Sequence, residues 1–154
     1  MKSQEEAIAY AKKYAEDLLS FFGLNTDVYA TSEDGEVIEL HVPSTHMNSL
    51  LIGNHGDTMR SIQYLVSMAL KTGEYEIDRV NVDIADYKKQ RADRLRELAE
   101  TWIEEVKSSG QAKALDPMNA ADRRTIHKLA EEHGLTSESD GQGRDRHIII
   151  KPAE

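Results

Sequence analysis

Two stretches of this chain carry residue types at spacings that could do chemistry. The first runs from Pro117-Met118-Asn119 to Gly134 and contains Arg123 and His127, four residues apart. On a helix that spacing puts both on one face, and Arg124 and Lys128 repeat the relation beside them, with Ile126 and Leu129 opposite. Arginine is a planar, permanently charged fork suited to phosphate oxygens. An imidazole adds a hydrogen-bond donor and can also stack on a base. Arg144 and Arg146, in the loop before the last strand and its terminal apolar run, would extend the same cationic surface. On a helix standing alone, the simplest reading of such a face is a solvated one, with Arg123 bonded to a neighbouring carbonyl.

The second stretch is Gly53-Asn54-His55-Gly56, between one helical segment and the next. Glycine lets backbone approach a ligand closely. A helix N-terminus offers free N–H groups and the positive end of a dipole, which suits a phosphate. Asp57 follows, where a carboxylate suits the dipole but opposes an anion. Arg60, one turn on, would compensate in part. A pair of glycines separated by two residues is common at helix turns, so here too the surrounding elements decide.

Those elements can be read from periodicity. Ala7, Ile8, Ala11, Tyr14, Ala15, Leu18, Leu19 and Phe22 predict an apolar stripe on a first helix, closed by Gly23. Strands are expected at 26–31 and 36–42, joined through the Asp34-Gly35 turn, and Pro43 ends the second. A short helix is expected over 44–51. After the glycine loop, Met59, Ile62, Leu65, Val66, Ala69 and Leu70 give the buried face of another helix, and Val80, Val82 and Ile84 alternate as a strand. A long helix is expected from Tyr87 to Ser108, with the stripe Leu95, Leu98, Ala99, Trp102, Ile103 and Val106 and a basic early face. Asn119 looks like an N-cap, with Asp122 completing a box-like pair. Strands are expected at 135–139 and 147–151.

The first half, in the order helix, strand, strand, helix, GxxG, helix, strand, resembles a bacterial KH domain. That resemblance implies single-stranded nucleic acid held at Gly53, Asn54, His55 and Gly56. Asn54 and His55 stand where such loops usually carry Lys or Arg. The second half, with Pro117-Met118-Asn119, Arg123 and His127 four apart, the following Thr/Ser stretch and the closing Arg146-His147-Ile148-Ile149-Ile150, resembles the R-3-H domain. That resemblance also implies binding of single-stranded nucleic acid, with Arg123 and His127 on its name-giving positions. The combination resembles the bacterial Jag, or SpoIIIJ-associated, family. Many members have a further N-terminal domain, so a short member or a truncated chain is expected.

Composition agrees with two small units. The 154 residues are 39% hydrophobic and 31% charged, a balance for a globular protein with a thin core. The absence of cysteine excludes disulfides and zinc-thiolate sites. No apolar run approaches the roughly 20 residues of a membrane span, and the N-terminus lacks the apolar core of a signal peptide, so the cytoplasm is the expected compartment. The net charge of −9 lies wholly in residues 1–86, with 6 basic and 15 acidic side chains, whereas 87–154 holds 13 of each.

The expected fold is therefore α+β: a KH-like domain of type II order over 1–86 and an R-3-H domain over 87–154 that includes the long connecting helix. The expected function is non-catalytic binding of single-stranded RNA, or DNA. No metal, cofactor or catalytic constellation is expected, because no H-E-x-x-H, G-x-S-x-G or phosphate-loop motif occurs. A homodimer, or a heterodimer with a small single-KH protein, is an expected partner state. The competing reading is a docking or dimerisation module whose acidic KH-like half no longer binds RNA.

Overall fold

A computed structural model describes residues 1–153 and divides the chain into two compact units, Met1–Lys88 and Lys89 onward. Both are mixed α+β.

The first unit opens with α1 (Gln4–Ser20), started by a reciprocal capping box in which Glu6 N donates to Ser3 Oγ and Ser3 N donates to Glu6 Oε2 at 2.8 Å. Ala7, Ala11, Ala15 and Leu19 form its buried line. Phe22 departs from the expected stripe. The helix ends at Ser20, so Phe22 falls in the following turn and is 44% exposed.

Strands β1 (Tyr29–Thr31), β2 (Val37–Val42) and β3 (Arg79–Ile84) make one sheet in that order. β1 is shorter than its propensity suggests. The turn into β2 is held by Asp34, whose Oδ1 accepts from Glu36 N at 2.8 Å and Val37 N at 3.1 Å. Those backbone donors lower the Asp34 pKa from its ordinary value.

β2 and β3 run parallel, with Ile38, Leu40 and Val42 opposite Val80, Val82 and Ile84, all facing the core. Parallel neighbours need a crossover, and it consists of α2 (Asn48–Ile52), the glycine loop and α3 (Asp57–Thr72). α3 buries Met59, Ile62, Val66 and Leu70. Leu65, expected inside, is 44% exposed, on the flank it shares with Tyr64 and Met68. α3 also covers the outer edge of β3: Gln63 Oε1 accepts from Val82 N at 2.9 Å and Ser67 Oγ donates to Asp78 O at 2.6 Å.

α4 (Tyr87–Ser109) starts at the last two residues of the first unit, and in the second it turns Ala99, Ile103 and Val106 inward, with Leu95 and Trp102 packed beside them. Leu98, expected in the same stripe, is 53% exposed. The sheet is β4 (Lys113–Ala114), β6 (His147–Lys151) and β5 (Thr136–Asp140) in that spatial order, all antiparallel. β4 was not expected as a strand, since two residues carry no alternation to read. Ile148 and Ile150 on central β6 are fully buried against α5 (Ala120–Glu132) and its Ile126, Leu129 and Ala130.

Asp122 is the one charged side chain buried among the described residues, at 6% exposure. Arg91 Nη2 meets its Oδ2 at 2.6 Å and Arg91 Nε donates to both carboxylate oxygens at 3.2 Å. The expected box with Asn119 is half formed: Asn119 Oδ1 accepts from Asp122 N at 2.9 Å, but the Asp122 carboxylate turns inward to Arg91. At the other end of α5, Arg96 Nη2 meets Glu132 Oε2 at 2.9 Å, so α4 holds α5 at both ends. Replacing Asp122 by Ala removes charge-assisted bonds from a buried site. A loss of roughly 1.5–3 kcal/mol is expected, read in a urea titration followed by Trp102 fluorescence.

Candidate nucleic-acid interface

With Asp122, Ile126, Leu129 and Ala130 inward, the helical repeat sends Arg123 and His127 to one half-buried flank of α5, where His127 meets β5. Arg124 and Lys128 fall on the exposed outer face. The predicted four cationic or potentially cationic groups therefore divide in two: one pair on a half-buried flank, the other in solvent.

Arg123 Nη1 donates to Met118 O at 2.6 Å, which steadies the guanidinium next to the Pro117-Met118-Asn119 turn. That is one of five N–H donors, and the fork stays charged. His127 is held at both ring nitrogens: Nδ1 lies 2.6 Å from Ser137 Oγ and Nε2 lies 2.9 Å from Ser139 Oγ.

Beyond this flank, Arg144 is exposed on the 3-10 turn Gly143–Asp145. Arg146 is half-buried, and its Nη1 donates to Gly141 O at 2.8 Å, bracing the loop from within. No side-chain hydrogen bond or ion pair found among the described residues engages Arg124, Lys128 or Arg144. These three are the uncommitted charges of the unit's predicted site.

The predicted site in the first unit is a tight backbone feature. Gly53 has φ 72 and ψ −167, His55 sits at φ 53 and Gly56 at φ 82. A Cβ at Gly53 would lie 2.9 Å from Thr58 N, so the position admits only glycine without rearrangement. Asn54 and His55 are exposed at the tip, and Gly56 is the unassisted cap of α3. Arg60 bonds Asp57 at 2.5 Å, so the cation expected to compensate the loop is instead matched with the adjacent acid. Beside the loop, an open groove runs between α3 and β3, edged by Arg60, Gln63, Tyr64, Arg79 and Asn81. Nothing in the sequence singled out this groove, because its walls lie on elements far apart in the chain.

His41, Asp83 and Asp86 offer donor atoms within 4.8 Å of one another. Asp83 Oδ1 accepts from Lys88 N and His41 Nε2 stands 3.8 Å from Asp86 Oδ1, so these groups close the turn after β3.

The R-3-H domain family matches residues 93–152, a span that contains the whole α5–β5 crease. The chain is 36% identical over 102 residues to the RNA-binding protein KhpB of Clostridium symbiosum, covering 66% of this chain and 46% of that one. It is 35% identical over 107 residues to the RNA-binding protein KhpB of Lactiplantibacillus plantarum, covering 69% and 33%. Over 148 residues, 94% of this chain and 70% of the relative, it is 26% identical to the RNA-binding protein KhpB of Bacillus subtilis. The chain is similar to these Jag-family proteins across most of its length. It spans about half of the first of these relatives and a third of the second.

Ser137 and Ser139 are the residues of this site that sequence reading passed over. The signal was present in Thr136-Ser137-Glu138-Ser139, where an edge strand places hydroxyls at two positions that alternation reserves for apolar side chains. In the first unit, Gly53→Ala is expected to cost roughly 1–3 kcal/mol, the scale of a residue forced into a disfavoured backbone region. Thermal denaturation of the full chain reads it as a shift of the first unit's transition.

Proposed function

We propose that this chain is a non-catalytic protein that binds single-stranded nucleic acid, with RNA as its ligand. The observation that carries the reading is the Arg123 and His127 pair set on one half-buried flank of α5, inside the segment that matches the R-3-H domain. Arg123 supplies a fork for a phosphate steadied on Met118 O, His127 a planar ring one turn on, and Arg124, Lys128 and Arg144 an exposed cationic rim that Arg146 supports from within its loop. The name that the relatives share, RNA-binding protein, supports RNA over DNA.

The first unit reads as KH-like. Its element order, α1, β1, β2, α2, glycine loop, α3, β3, is the order that motivated the resemblance. Gly53, Asn54, His55 and Gly56 would offer backbone N–H groups and short polar side chains to a sugar-phosphate strand. Charge attraction would come from the second unit, since Arg60 is matched by Asp57 and the first unit is acidic. A homodimer, or a pair with a small single-KH protein, belongs to the same reading, as does residence in the cytoplasm. No helix among the described residues is long and apolar enough to cross a membrane.

Affinity for a mixed-sequence single-stranded RNA across a salt series tests this. Each phosphate neutralised on a single strand contributes about 0.7 to the log–log slope. The double variant Arg123→Ala/His127→Ala should bind more weakly with a slope shallower by about 0.7, and Asn54→Asp/His55→Asp should lose less. A wild-type chain with no salt-dependent binding would sink the proposal and leave the docking module in its place.

A further inference from the structure

The two serines on β5 have a consequence for how His127 meets its ligand. Ser137 and Ser139 are directly opposite Ile150 and Ile148 on β6, and both isoleucines are fully buried. Residues opposite one another share a face of the sheet. The serines therefore occupy the α5-facing side of an edge strand, where hydrocarbon would ordinarily sit. A hydroxyl withdrawn from water without a partner is destabilising, and each of these has one: a ring nitrogen of His127, at 2.6 and 2.9 Å.

A neutral imidazole has one N–H donor and one acceptor nitrogen, and a serine hydroxyl can play either part. An imidazolium has two donors, and both oxygens can accept. In every protonation state both nitrogens are thus engaged with the protein. What His127 retains for a ligand is the carbon edge and the face of the ring. Arg123, by contrast, uses a single N–H on Met118 O and keeps the remainder of its fork.

We infer that Ser137 and Ser139 are positioning residues that clamp the His127 imidazole, so that it meets a nucleic-acid base through its ring face and leaves the phosphate to Arg123. The inference rests on the nucleic-acid reading above and assigns different parts of the strand to the two side chains.

The test uses the full chain and two probes: a mixed-sequence single-stranded RNA, and an abasic ribose-phosphate strand of equal length. Stacking of a base on an aromatic ring is sequence-tolerant and involves no counterion. Ser137→Ala/Ser139→Ala should therefore weaken the base-bearing strand about three- to ten-fold, part of the loss typical of removing a stacking partner. The salt slope and the affinity for the abasic strand should stay at wild-type values. Ser137→Thr/Ser139→Thr, which restores both hydroxyls, should return the lost affinity.

Trp102 fluorescence reports whether the unit remains folded, and Ser139→Ala alone carries the same comparison if the double variant unfolds. An equal loss on both probes, or a shallower slope, would mean that the imidazole serves phosphate, and the inference fails. It fails also if the alanine variant binds like wild type, if threonine does not rescue a folded variant, or if wild type binds both probes equally. A wild type that binds neither probe removes the nucleic-acid reading itself, and the inference with it.

Discussion

The rotation of α5 about its own axis is the constraint on which the second unit's surface depends. A helix that carries basic side chains in two adjoining pairs, Arg123 with His127 and Arg124 with Lys128, can present either pair, and packing decides which. Ile126, Leu129 and Ala130 supply the apolar part of that decision. They alone would tolerate some rolling, because hydrophobic contact is not directional. The Arg91–Asp122 pair is directional: three donor–acceptor contacts converge on one buried carboxylate at the first turn. A buried ion pair is weak evidence for stability, but its geometry can fix an arrangement. Here it fixes the angle that puts Arg123 and His127 on the half-buried flank and Arg124 and Lys128 outside it.

Because His127 then meets β5 on that flank, the composition of an edge strand becomes part of the site. A strand with apolar residues in place of Ser137 and Ser139 would bury as well or better, but it would leave two imidazole nitrogens without partners. The hydroxyls settle both problems at once: they satisfy the ring, and the ring satisfies them, so that among the described residues no buried side-chain polar atom lacks a partner.

The two units divide their physics differently. In the first, the distinctive feature is backbone: a loop in which Gly53, His55 and Gly56 all take positive φ, between helices that cross from β2 to the parallel β3. Its acidic surface and the Asp57–Arg60 pair leave little net attraction for a polyanion near the loop. In the second, the distinctive feature is charge set on a rigid helix, in a sequence whose acids and bases balance.

The sequence by itself determined most of the elements, the glycine loop, and the face shared by Arg123 and His127, because those follow from local periodicity and from glycine's freedom of backbone. It misjudged side chains at the border of a stripe: Leu65, Leu98 and Phe22 have the right spacing but stand on the open flank, or past the end, of their helices. It also missed β4, too short to alternate, and it assigned the Asp122 carboxylate to Asn119 when Arg91, thirty-one residues away, holds it. Only the tertiary structure decided that last choice, together with the pairing of His127 to two serines and the groove between α3 and β3. The physical reason is the same in each case. These contacts join residues from separate elements, and their energies depend on distance and direction in space, which residue spacing along the chain does not encode.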